Sequence, residues 1–143
     1  MTMMMESPVD SARYQGEYAG DARSATQARH DAAEILDAWS LPSLVYGAKQ
    51  VVAEMMANAV SHCVQRPVVL TLSRLDNGVR ISVLDSCTEP VVPRDASLGD
   101  ENGRGMLLIE AFSARWDWEW RTARTMTDPA HRAGKRVWAD LHL

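Results

Sequence analysis

The 143-residue chain is long enough for one domain that buries roughly two-thirds of its unfolded surface. Hydrophobic residues at 46% and charged residues at 24% exclude a disordered chain, and a net charge of −4 speaks against a surface built to neutralise nucleic-acid phosphates. Two cysteines, Cys63 and Cys87, are too few for a disulfide framework and lack the paired spacing of a zinc site.

Residues 1–13 mix Met, Ser, Pro and Asp without periodicity and predict a flexible tail ahead of one domain over 14–143. The opening MTMMMESPVD has neither the basic stretch nor the apolar run of a secretory signal. No run of 18 uncharged apolar residues occurs, so no membrane helix is expected and the cytoplasm is the expected location.

From Asp21 the pattern turns helical. Ala28, Ala32, Ile35, Leu36 and Trp39 recur at three and four residues, while Arg29, Asp31 and Asp37 face away. Pro42 ends this helix, and Ser43 is a fair N-cap for a second. That second helix carries Leu44, Ala48, Val51, Val52, Met55 and Ala59 on its core side and stops ahead of Pro67. The period then falls from 3.6 to 2. PVVLTLSRL and GVRISVLDS read as a hairpin turning at Asp76-Asn77-Gly78. Residues 86–102 show no period, and so long a loop in a compact domain suggests function. A short helix from Gly103 to about Ala114, the strand WDWEWR and a last strand KRVWADLHL complete an α+β domain. The expected architecture is a two-layer sandwich, with three helices on one face of a mixed sheet.

Four features carry chemistry. Glu54 and Asn58 lie one helical turn apart on one face, with His62 continuing the row. They read either as a solvated stripe or as a carboxylate base beside an amide oxygen able to ligate a hard cation. Asp85 shares a strand face with Val79, Ile81 and Val83, so it either needs donors in the core or begins a turn. Gly103-Arg104-Gly105 opens an apolar helix, where backbone amides and the helix terminus favour an anion. No P-loop occurs, and Leu108 stands where a dinucleotide motif needs its third glycine. The histidines His30, His62, His131 and His142 have no metal-ligand spacing. Cys63 reads as a small apolar residue, and Trp116, Trp118 and Trp120 alternate as strand residues do.

Taken in order, these features resemble the GHKL (histidine-kinase-like) ATPase superfamily, and within it small single-domain bacterial regulators such as anti-sigma factor serine/threonine kinases. Residues 54–62, EMMANAVSH, match the N-box of that group; 83–86, VLDS, the first nucleotide box; 103–109, GRGMLLI, the second; and 134–141, GKRVWADL, the closing strand. The resemblance implies ATP and Mg²⁺ as cofactors. Asn58 would ligate Mg²⁺, Asp85 would accept a hydrogen bond from the adenine amine, the backbone of Gly103, Arg104 and Gly105 and the Arg104 side chain would hold the phosphates, and Met106 would also belong to the ATP-binding set. Residues 87–102 would form a lid, and Glu54 would be the general base. It implies a cytoplasmic anti-sigma factor that binds a sigma factor and phosphorylates an anti-sigma-factor antagonist, as a homodimer, with no direct nucleic-acid or membrane contact. The alternative is a regulatory module that sequesters a protein partner without phosphoryl transfer. Two positions depart from the family pattern. Ser86, Cys87 and Thr88 follow Asp85 where the family has D-x-G-x-G, and the closing strand brings Arg136 where the family often has threonine.

Overall fold

The computed structural model describes residues 3–6, 12–62, 66–87, 101–121 and 134–143; for 3–6, 62 and 101–106 the backbone alone is described. In chain order the elements are β1 (Met3–Glu6), β2 (Arg13–Tyr18), α1 (Ala22–Ala38), α2 (Val45–His62), β3 (Val68–Leu75), β4 (Gly78–Asp85), α3 (Glu101–Phe112), β5 (Arg115–Arg121) and β6 (Gly134–His142). The strands form one six-stranded sheet in the order β1-β2-β3-β4-β6-β5. The expected α+β sandwich is present.

Every pairing in the sheet is antiparallel, where a mixed sheet was expected. The connections explain the difference. Between β2 and β3 the chain makes two helices, and an even number returns it to the end of the sheet it left. Between β4 and β5 it makes one, so those two strands run parallel to each other. They are not neighbours, because β6 lies between them and runs against both.

Asp21 caps α1 by accepting the Ser24 amide at 2.8 Å, which satisfies one of the free donors of the first turn. The helix ends at Ala38, and Ser40 takes a left-handed conformation (φ 59°) that turns the chain. Pro42 and Ser43 then lie in a 3-10 turn, Pro42–Leu44, so Ser43 is not the N-cap of α2. The buried side of α2 is formed by Ala48, Val51, Val52, Met55, Met56 and Ala59, and this helix packs against both α1 and α3. On the sheet, Tyr14, Tyr18, Leu70, Leu72, Val79, Ile81, Val83, Val137, Ala139 and Leu141 complete the core. Each fully buried aliphatic side chain contributes about 1.5–3 kcal/mol.

Three features escape the sequence pattern. Residues 3–6 pair with β2 as an edge strand within what reads as a tail. Asp31, expected to face solvent, is buried; it accepts Tyr18 Oη at 2.7 Å and Gln27 Nε2 at 2.8 Å, and Tyr14 Oη lies 2.6 Å from Tyr18 Oη. This chain of hydrogen bonds ties α1 to β2 and pushes the Tyr18 phenol far above its usual range, through burial first and the Asp31 bond next. Finally, Gly78 does not supply a special turn conformation. The hairpin closes over Asp76-Asn77, with Leu75 paired to Gly78, and a Cβ at Gly78 would collide with the Leu141 carbonyl.

Candidate functional site

Glu54 and Asn58 project from the same stretch of α2 and are both half-buried. Among the described residues neither side chain makes a hydrogen bond or ion pair. Burial pushes the Glu54 carboxyl above the usual glutamate range, with no other cause acting on it. A partly desolvated, unpartnered carboxyl is a better proton acceptor than an exposed one, and the amide one turn away leaves an oxygen available. The helix is thus not merely striped with solvated polar residues. The His62 side chain and Cys63 lie outside the described residues.

Asp85 ends β4 on the core face and is 2% exposed. It does receive donors. Oδ1 accepts the Cys87 amide at 2.8 Å, which fixes the carboxyl as the chain leaves the strand, and Lys135 Nζ lies 3.2 Å from Oδ2. Cys87, standing where the family pattern has glycine, is itself buried, and its backbone makes this bond. The Asp85 carbonyl accepts Arg121 Nη1 at 3.2 Å.

Lys135 is the residue that sequence reasoning missed. The closing strand was expected to bring Arg136 to the position where the family often has threonine, but the register pairs Asp85 with Lys135 directly. A shift of one residue reverses the face of a strand side chain. Arg136 therefore lies on the opposite face, where it donates to Glu119 Oε1 at 3.1 Å and Ser82 Oγ at 3.0 Å. The signal was present: counting back by twos from Leu141, Ala139 and Val137 on the apolar face arrives at Lys135. Gly134 (φ 148°) makes the approach possible, since any side chain there would meet the Asp85 carbonyl.

The helix α3 begins at Glu101, two residues before the expected Gly103. Gly103 therefore falls among the first four residues, whose amides lack intrahelical acceptors, while Arg104, Gly105 and Met106 continue the first two turns. An anion would meet the amide end of this helix at residues 101–103 rather than a loop ahead of it. Of the lid expected over 87–102, residues 101–102 belong to α3 and residues 88–100 lie outside the described residues, as do the side chains of 103–106.

Other sequence candidates are structural. His30 Nε2 pairs with Glu34 at 3.1 Å on the exposed side of α1. Trp116, Trp118 and Trp120 sit half-buried on β5, with the rings of Trp118 and Trp120 edge to face. Among the described residues no three His, Cys, Asp or Glu side chains gather as a metal site, and no helix is long and apolar enough to cross a membrane.

A layer of helices covers one face of the antiparallel sheet in this α+β domain, with polar residues on α2 and a buried carboxylate ending β4. The histidine kinase-like ATPase domain family matches residues 18–128, and the chain belongs to that family. Membership carries ATP binding as the domain's general property. No curated protein matches the chain.

Proposed function

We propose that this domain is a cytoplasmic ATP-dependent protein serine/threonine kinase that acts as an anti-sigma factor, holding a sigma factor and phosphorylating an anti-sigma-factor antagonist. The observation that carries the kinase reading is the half-buried Glu54 carboxyl, without a partner among the described residues, one turn from Asn58 on the helix of an ATPase-family domain. ATP, when bound with Mg²⁺, supplies the phosphoryl group. The donor set suits that ligand. Mg²⁺ keeps several waters and takes substrate phosphates into its shell, so few protein oxygens are needed, and the Asn58 amide oxygen would provide one. Asp85, an acceptor-only carboxylate in the core, would take a hydrogen bond from the adenine amine. The amide end of α3, with Gly103, would receive phosphate, with Arg104, Gly105 and Met106 following.

Glu54 is the proton acceptor in this reading. As the hydroxyl oxygen of the protein substrate bonds to phosphorus, its proton must leave, and a carboxylate raised by burial takes it more readily than an exposed one. The sigma factor, the antagonist and a homodimeric state come from the family resemblance and stand as parts of the proposal.

A second reading, a module that sequesters a partner without phosphoryl transfer, is favoured by one observation. Asp85 is already engaged by Lys135 and by the Cys87 amide. One experiment separates the two readings: transfer of radiolabelled phosphate to the co-purifying antagonist, beside sigma-factor pull-down, for wild type and Glu54→Ala. The kinase reading expects Glu54→Ala to lower transfer by about 10²-fold or more while partner binding survives. A wild type that holds a sigma factor and transfers nothing selects the sequestering module. Holding no sigma factor overturns both biological roles.

A further inference from the structure

Asp85, the carboxylate that would meet the adenine amine, is already held by a lysine of its own chain. Lys135 Nζ lies 3.2 Å from Asp85 Oδ2 and 3.4 Å from Oδ1, so the ammonium sits astride both oxygens. Oδ1 also accepts the Cys87 amide at 2.8 Å. The side chains of Lys135 and Asp85 are 5% and 3% exposed, which leaves almost no carboxylate surface for a ligand while the lysine stays in place. The fold builds this pair. Asp85 and Lys135 are directly opposed in the β4–β6 register, and a side chain at Gly134 would meet the Asp85 carbonyl.

Displacing the lysine is unfavourable. An adenine amine offers a neutral N–H donor, whereas the contact it would replace joins two ionised groups and is the stronger of the two. Among the described residues no other side chain pairs with the Lys135 ammonium. Taking Asp85 from it therefore strands a charge in the core, which is strongly disfavoured. A shorter, neutral side chain at 135 reverses this balance. The pair lies at the end of the sheet, where β4 finishes and β6 has just begun, so truncation frees space beside the carboxylate. Asp85 then has acceptor positions to fill, and a 6-amino group supplies the hydrogen for one of them.

We infer that Lys135 competes with the base for Asp85, which lowers the affinity of the site for ATP and removes its preference for the 6-amino group. In the wild-type chain the phosphates and Mg²⁺ carry nucleotide binding, and the bond that Asp85 would give adenine goes to Lys135. This inference rests on the reading of Asp85 as the base-binding carboxylate in the proposed function.

The test is calorimetric titration of the full chain with ATP and with purine riboside triphosphate, which lacks the 6-amino group, each with Mg²⁺, for wild type and Lys135→Thr. Wild type is expected to bind the two within about threefold of each other. Lys135→Thr is expected to bind ATP about tenfold or more tighter than wild type does, and to prefer it over the analogue by about the same factor. A wild type too weak to titrate, beside a variant that binds and prefers ATP, gives the same support. A wider preference for ATP in wild type overturns the inference and leaves the reading of Asp85 intact. A folded Lys135→Thr that gains no preference for ATP overturns the inference, and the reading of Asp85 with it. Lys135→Gln, neutral but still able to donate to Asp85, takes the place of a Lys135→Thr that fails to fold, and the wild-type ratio is a test that needs no variant. Binding of neither nucleotide by wild type or variant overturns both the inference and the nucleotide reading beneath it.

Discussion

At the scale of single residues, the burial of the Glu54 carboxyl carries a cost in stability. Its folded carboxyl is raised, so the protonated form is favoured in the folded protein relative to the unfolded chain. The stabilising contribution is therefore complete below the unfolded value of about 4.3 and is lost as pH rises through the higher folded value. Glu54→Gln should raise the midpoint of urea unfolding slightly at pH 7 and leave it unchanged below about pH 4. A midpoint equal to wild type across that window would mean that the carboxyl is no more desolvated than an exposed one. If Glu54 is the base, phosphate transfer should rise with pH through a midpoint above the ordinary glutamate value. The pairing of Glu54 with Asn58 was legible from spacing alone, because a helix brings residues four apart onto one face. That Asp85 is buried was legible from alternation. What partners it was not, because the register between β4 and β6 is a tertiary fact joining residues far apart in the chain.

At the scale of elements, the face of the sheet away from the helices is held by one carboxylate. Asp140 on β6 is 1% exposed; it accepts Arg80 Nε and Nη2 from β4 at 2.6 and 2.9 Å, and Arg115 Nε from β5 at 2.8 Å. Three adjacent strands are thereby joined, and the Arg80 guanidinium also lies 4.4 Å from the centre of the Trp138 ring. The Arg80 bond first, and the Arg115 bond after it, hold the Asp140 carboxyl below the usual aspartate range. A lowered folded value stabilises above the unfolded value of about 3.9, and that stability is lost as pH falls through the folded one. Asp140→Asn should cost about 2 kcal/mol at pH 7, limited by the solvent around both guanidinium groups. The gap from wild type should narrow as pH drops below about 4. Urea unfolding of both proteins at pH 7 and pH 3 checks this, and a gap equal at both pH values would remove the ionic part of the account. The strand β2 shows a different limit of sequence reading. Tyr14, Gly16 and Tyr18 alternate inward with Arg13, Gln15 and Glu17 outward, a strand signal in six residues. Glycine and tyrosine are poor markers of an apolar face, and the Asp31 bond that makes the tyrosines core residues comes from another element.

For the whole molecule, the position of β6 between β4 and β5 governs the route by which the sheet is assembled. Hairpins such as β3–β4 close locally, but Lys135 meets Asp85 and Asp140 meets Arg80 across 50 and 60 residues of chain. Joining such distant segments must overcome loop-closure entropy before any contact compensates, which slows folding of non-local sheets. Until β6 arrives, β4 has an open edge and β5 has no neighbour, so the unfinished sheet exposes a template for pairing with other chains. Leu141, buried on β6 beneath α2, reports on this step. Leu141→Ala should cost about 2–5 kcal/mol, most of it as slower refolding in stopped-flow experiments. A variant that refolds at the wild-type rate and only unfolds faster would mean that β6 docks after the barrier. In either case the late strand is an interior one. The same residues that bring Lys135 to Asp85 close the sheet, so this buried ion pair cannot form in a chain that is still open to self-association.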